Sequence, residues 1–217
     1  MKEIWLIRHA ESEANAGLYT AAPDKVALTT RGLEQAANLA SLFETAPPLV
    51  VVSPYLRTQQ TAAPLLAKFP LIPVEIWATQ EFTYLSLEKT RDSNLAERRP
   101  LVEAFWARND PAFSDGDGAE SFAAFWQRAA KAIEQIIEKA PDQTIVFGHA
   151  QFLRAMLWQL LVTESATSDI MQAFYLFMRA IKIPNTAIIK LLIDATKKDA
   201  YTSEIRFSHI PLSLLTY

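Results

Sequence analysis

Two histidines and two arginines of this chain stand where short apolar runs stop. Ile4-Trp5-Leu6-Ile7 gives way to Arg8-His9 and then to the polar stretch Glu11-Ser12-Glu13-Ala14-Asn15. Thr144-Ile145-Val146-Phe147 gives way to Gly148-His149, and Leu49-Val50-Val51-Val52 to Ser53-Pro54-Tyr55-Leu56-Arg57. Brief apolar runs of this kind read as buried strands, and ligands of open α/β sheets bind at the carboxyl ends of strands. A guanidinium presents a planar fork that matches two phosphate oxygens and keeps its charge. An imidazole near neutral pH can attack or carry a proton. A helix opening just after such a strand adds free N–H groups and a positive dipole end. Taken singly, a lone arginine reads as a surface ion pair and a lone histidine as a hydrogen-bonded structural residue. Four cation-capable groups meeting at one sheet edge point instead to a phosphate site.

The elements that must bring them together follow from pattern. Residues 3–8, 49–52, 73–77 and 144–147 read as strands, with two more at 186–193 and 203–208. A helix capped by Thr29 or Thr30 carries the stripe Leu33, Ala36, Ala37, Ala40 and Phe43 and stops at Pro47-Pro48. The next opens at Ser53 with Pro54 in its first position, and Pro64 should kink or divide it. Further helices are expected at about 86–92, 95–108, 120–139, after His149 and at about 167–179, with Glu11 to Gly17 a short helix or turn. Phe122, Phe125, Trp126, Ala129, Ile133, Ile136 and Ile137 share one face of the 120–139 helix and read as core. Strands alternating with helices predict an α/β fold: three layers, a mostly parallel open sheet with helices on both faces. Residues 78–118 differ in character and read as an insertion over the active site, a lid on a single domain spanning 1–217.

Composition narrows the function classes. The 217 residues, half of them hydrophobic, can bury a sizeable core. A net charge of -3 without a long basic run argues against nucleic acid as partner. The chain has no cysteine, which removes disulfides, thiolate chemistry and zinc-thiolate clusters. No signal-peptide pattern precedes the first strand, and the richest apolar stretch, Ala173 to Ile183, is broken by Arg179 and Lys182. The expectation is a cytoplasmic protein without membrane contact.

Four segments carry a family resemblance. Arg8-His9-Ala10-Glu11-Ser12 resembles the Arg-His-Gly signature of the histidine phosphatase superfamily, the phosphoglycerate-mutase-like fold. Leu28-Thr29-Thr30-Arg31-Gly32-Leu33-Glu34-Gln35-Ala36 is similar to its Leu-Thr-x-x-Gly-x-x-Gln-Ala segment. Ser53 to Ala62 is similar to its Ser-Pro-x-x-Arg-x-x-Gln-Thr-Ala segment, and Gly148-His149-Ala150 to its second histidine element. Order and spacing agree from residue 4 to about 160. The resemblance implies that His9 is the nucleophile taking the phosphoryl group, that Arg8, Arg57 and His149 hold its oxygens, and that Asn15 joins them. It implies Glu81 as proton donor, with Glu75, Glu88 and Glu120 as competitors; Glu120 reads more readily as a helix-start residue. Such a glutamate would need a raised pKa, from burial or nearby anions. His9 would have to be neutral to attack, whereas His149 would serve best protonated.

The resemblance therefore implies a metal-independent phosphomonoesterase of histidine acid phosphatase type, without cofactor, acting on a small phosphorylated substrate. Departures sharpen this. Ala10 and Ala150 replace the glycine after each motif histidine, so either a positive φ is strained there or only a small side chain is needed. Ala14 and Gln151 stand where the mutase branch has tryptophan and asparagine, which favours hydrolysis. A mutase-type phosphotransferase and a non-catalytic phospho-ligand binding module are the alternatives. Thr83, Tyr84, Arg91, Arg98 and Arg99 could line a substrate lid but read more readily as solvated surface. Asp115-Gly116-Asp117-Gly118 reads as a turn rather than a calcium loop, and His209 as a structural residue of the last strand.

Overall fold

The computed structural model describes residues 1–162, 165–194, 196 and 199–217. Its centre is a six-stranded sheet of β1 (Lys2–Arg8), β2 (Val50–Val52), β3 (Val74–Ile76), β4 (Thr144–Gly148), β5 (Ile188–Asp194) and β6 (Asp199–Arg206), in the order β3-β2-β4-β1-β5-β6. The first four strands in that order run parallel, and β5 and β6 join antiparallel. Register matters more than count. β1 pairs with β4 so that Arg8 lies opposite Gly148, and β2 pairs with β4 so that Val52 lies opposite Phe147. The three apolar runs therefore end side by side, and the residues after them share one sheet edge.

Period-two alternation splits each strand between two cores. Ile7, Val50, Val52, Ile145 and Phe147 face α1 (Thr30–Ser41) and α2 (Leu56–Lys68), where Leu39, Ala40, Ala62 and Leu65 meet them. Ile4, Leu6, Val51 and Val146 face the other layer, made by α5 (Phe122–Lys139), α6 (Ala150–Leu161) and α7 (Ser168–Ala180). The α/β, three-layer expectation is correct. The antiparallel β5 and β6 were legible only as strands, because direction depends on the connection.

Residues 78–118 hold α3 (Leu87–Thr90) and α4 (Leu95–Arg108). Aromatic packing pins this segment to the second layer. Phe82 stacks on Phe125 with centroids 4.2 Å apart, and Trp106 stacks on Tyr175 at 4.9 Å. Each such pair adds about 0.5–1.5 kcal/mol beyond the area it buries.

Several expectations need correction. Of the two readings of residues 11–17, helix or turn, the turn holds, with Gly17 at φ +76° closing it. Leu33 points outward at 52% exposure, and the inward face of α1 is Gly32, Gln35, Ala36, Leu39 and Ala40. Thr29 is the cap of α1, its hydroxyl accepting from Gly32 N. α2 runs unbroken through Pro64, held by the buried Ala62 and Leu65 on either side, and begins after Tyr55 with no side-chain cap. β6 starts earlier than expected and His209 lies beyond it, in a turn, with Nε2 against Thr186 O. Among the described residues no helix is long and apolar enough to cross a membrane.

Candidate active site

His9 follows the last residue of β1 and stays in the sheet's grip, its N–H donating to Gly148 O at 2.9 Å. Its Nδ1 lies 2.7 Å from Ala10 O, a carbonyl that can only accept. Nδ1 therefore carries the hydrogen, and Nε2 keeps its lone pair. Arg57 Nε donates to that Nε2 at 3.2 Å. Burial and the charges of Arg57 and Arg8 hold the His9 pKa well below its ordinary value, so the ring is neutral.

The second motif works from beneath. Glu11 N donates to Gln35 Oε1 at 2.6 Å, Thr29 N donates to Glu11 O, and the Thr29 hydroxyl donates to Glu11 Oε1 at 2.7 Å. A Cβ on Gly32 would collide with Glu11 O, so only glycine lets α1 approach this closely. Thr61 Oγ1 accepts from Ala10 N at 3.0 Å. Neither Ala10 nor Ala150 has a positive φ. The alternative left open by the sequence thus resolves against backbone strain, and at the fully buried Ala10 a small side chain is what fits.

Four guanidiniums line the same cavity: Arg8, Arg57, Arg154 and, farther out, Arg98. Arg8 Nη1 donates to Ile183 O at 2.6 Å, and Arg57 Nη1 donates to Pro23 O at 2.7 Å. Burial, the largest cause in both, brings each down to a pKa of about 10, still charged at neutral pH. Arg154, on α6, donates from Nε to Ile181 O at 2.7 Å and also lines the cavity. The sequence reading missed it, although a lone cation within the apolar face of Leu153, Ala155 and Met156 was a signal.

His149 caps α6 and is wholly buried, its ring centroid 5.1 Å from that of His9. Nε2 meets Ser53 Oγ at 2.7 Å, and Nδ1 has no protein partner. Arg8 Nε is likewise buried and unpaired. Burial first, then Arg57 and His9, keep the His149 pKa well below its usual value. That favours the neutral ring, where the sequence reading has the protonated form serving best.

Glu81 reaches the N-terminus of α6. Its Oε1 accepts from Phe152 N and from Gln151 N, both at 3.1 Å, and from Phe82 N at the same distance. It also lines the cavity and acts electrostatically on Arg8 and Arg57. The free helix N–H groups expected at a strand end are thus taken by Glu81, not left for a ligand. The competitors lie elsewhere: Glu75 accepts from Trp77 Nε1, Glu88 is exposed, and Glu120 pairs with Arg128 at 2.7 Å. Asn15 is in the lining, its Oδ1 held by Ser12 and by Asn185 Nδ2, which leaves its amide N–H₂ for a ligand.

Asn185 has no signal in the sequence. Its Nδ2 also donates to His9 O at 2.9 Å, while its N–H donates to Thr216 O. The cavity of about 360 Å³ extends outward along Thr83, Tyr84 and Arg98. These three were read as solvated surface and are not; Arg91 and Arg99 are exposed as expected. Asp115 is engaged by Lys89 at 2.6 Å and by Ser86 N, which leaves the 115–118 stretch a turn.

A doubly covered sheet whose strand ends gather two imidazoles and several guanidiniums around one cavity defines a phosphate-handling α/β protein. Residues 4–202 match the model of the histidine phosphatase superfamily, branch 1, and the chain belongs to that family. It is 34% identical over 163 residues, 73% of this chain and 78% of the relative, to the adenosylcobalamin/α-ribazole phosphatase of Escherichia coli K12. The crystal structure of the α-ribazole phosphatase from Shigella flexneri shares the fold with a TM-score of 0.72 at 23% identity, covering 95% of this chain and 96% of that one. Phosphoserine phosphatase from Entamoeba histolytica, crystallised with 3-phosphoglyceric acid, does so with 0.73 at 17% identity, over 97% of this chain and 100% of that one.

Proposed function

We propose that the protein is a phosphomonoester hydrolase that works through a phosphohistidine at His9. The observation that carries this is the state of His9: its Nδ1–H is committed to Ala10 O, so the nucleophilic lone pair sits on Nε2, under Arg57 and within the cavity. Arg8, Arg57 and Asn15 grip the phosphate oxygens, and His149 adds its unpaired nitrogen from below. Attack by Nε2 on phosphorus forms a P–N bond as the ester P–O bond breaks. The ring gains positive charge, which the Nδ1–H···O=C bond to Ala10 stabilises. Glu81, as acid, gives a proton to the departing alkoxide. As base it then takes one from water, whose oxygen attacks phosphorus and frees His9 and inorganic phosphate. The arginines stabilise the charge on the equatorial oxygens, where phosphoryl transfer concentrates it.

Phosphatase activity is also what the family and the E. coli relative favour. Ala14 and Gln151, in place of the mutase tryptophan and asparagine, favour water as the acceptor. The test is to quench turnover of an aryl phosphate and look for an acid-labile, base-stable phosphoenzyme. The label should map to His9 and vanish in His9→Ala. Full turnover by that variant would refute the mechanism.

A further inference from the structure

The cavity has a charged floor and a wall of another kind. Arg8, Arg57, Arg154, Asn15 and Glu81 lie at the floor with His9. Outward, the lining is Val26 from the 18–28 loop and Phe82, Tyr84, Leu85, Leu95 and Val102 from the 78–118 segment. Leu95 is 53% exposed, an apolar side chain held at the rim.

The threonine hydroxyls and the guanidinium on this wall are engaged by the protein itself. Thr20 Oγ1 accepts from Arg98 Nη2 at 2.7 Å, Thr83 Oγ1 meets Tyr55 OH at 2.8 Å, and Thr90 Oγ1 donates to Ser86 O at 2.9 Å. Arg98 is the only cation of the 78–118 segment in the lining among the described residues. It is turned into the protein, Nε to Ser93 Oγ and Nη2 to the carbonyls of Thr20, Thr90 and Ser93. Lys89 is held by Asp115 and Arg99 by Glu103, both away from the cavity.

A phosphomonoester brings at most two negative charges to the floor, where three guanidiniums await them. A second anion on the alcohol part would lie against a wall whose cation, Arg98, is already engaged by Ser93, Thr20 and Thr90, and desolvating an unpaired charge is costly. An apolar alcohol would instead bury surface there, at about 25 cal/mol per Å².

We propose that the site selects phosphomonoesters whose alcohol part is uncharged and largely apolar, such as an aryl or arylalkyl group, and rejects those carrying a second carboxylate. This deepens the hydrolytic reading and rests on it for the floor's role in binding phosphate. The rival geometry, with Arg154 holding a second carboxylate, predicts the opposite order.

The experiment uses two matched pairs. Benzyl phosphate and 4-carboxybenzyl phosphate keep the leaving oxygen alike and report kcat/KM. Benzylphosphonate and 4-carboxybenzylphosphonate cannot be hydrolysed and report Kd by calorimetry. The uncharged member should win by about 30-fold or more in both pairs. Val102→Lys, which sets an ammonium in the wall, should narrow the ratio by about tenfold. Equal or reversed preference in the phosphonate pair overturns the inference, whatever the turnover. Tight, selective phosphonate binding with no hydrolysis of benzyl phosphate leaves the inference standing and removes the hydrolytic reading instead.

Discussion

The floor of the cavity and its outer wall treat polar groups in opposite ways. At the floor Arg8 Nε is buried with no protein partner, and so is Nδ1 of His149, whose ring packs against His9. On the wall, the hydroxyls of Thr20, Thr83 and Thr90 and the guanidinium of Arg98 are paired within the protein. A buried unpaired donor costs about 1–3 kcal/mol, a cost that a ligand oxygen at Arg8 Nε would offset. The floor thus asks for oxygens, and the wall asks only for apolar surface.

The floor should break first and most severely. Arg57 is committed twice, to His9 Nε2 and to Pro23 O. Arg57→Ala removes both the charge and the donor that holds His9 Nε2, and kcat/KM for an aryl phosphate should fall about 1,000-fold. Arg57→Lys should recover little, since a single ammonium cannot span two partners in fixed directions. A loss below tenfold for the alanine variant would mean that Arg57 does not meet the phosphate.

Glu81 belongs to the floor, but its effect should depend on the ester. With an alkyl leaving group, Glu81→Gln should cost about 100-fold in kcat. With 4-nitrophenyl phosphate, whose leaving group needs no proton, the cost should be only a few-fold. Equal slowing of both would give the proton to another group.

These two regions also differ in how far the sequence disclosed them. Arg8, His9, Arg57 and His149 were readable because each follows a short apolar run, and parallel pairing of β1, β2 and β4 leaves such ends adjacent. Gln35 and Gly32 came with their motif, though their reason, a close approach to Glu11, needed coordinates. The wall was misread. Tyr84 and Arg98 are polar residues in a weakly patterned segment, and what turns them inward is packing of Phe82, Phe105 and Trp106 on distant helices. Asn185 acts through a contact over 170 residues of sequence, beyond any local pattern, whereas Arg154, bonded over 27 residues, showed locally only as a lone cation within an apolar helix face.

The neutral histidines of the floor make stability depend on pH. His9 and His149 have folded-state pKa values below the ordinary 6.5, as does His209, pushed down mainly by burial. Below pH 6.5 the unfolded chain binds protons that the native state refuses. The stability these rings contribute is therefore complete above pH 6.5 and lost as pH falls. Each proton difference gives a slope of at most about 1.4 kcal/mol per pH unit. Urea midpoints between pH 7.5 and 5.5 should fall, and vanadate should flatten the decline, because a bound anion favours the imidazolium. His149→Gln should remove one proton from the slope. An unchanged slope in that variant would mean that His149 is charged in the folded protein.

The wall should give the smallest response, and its size is informative. Leu95 lies at the rim, half exposed already, so Leu95→Asn can withdraw only part of a leucine from a bound ligand. Partial loss of that apolar contact corresponds to about threefold in KM for benzyl phosphate, with kcat held and with folding stability changed by less than about 0.5 kcal/mol. Phenyl phosphate is shorter by one methylene and reaches less far from the floor, so it should respond less. An equal rise for both esters would place the effect in loop conformation rather than in contact. A fall in kcat would mean that the rim shapes the phosphate end itself, and the division between floor and wall would no longer describe the cavity.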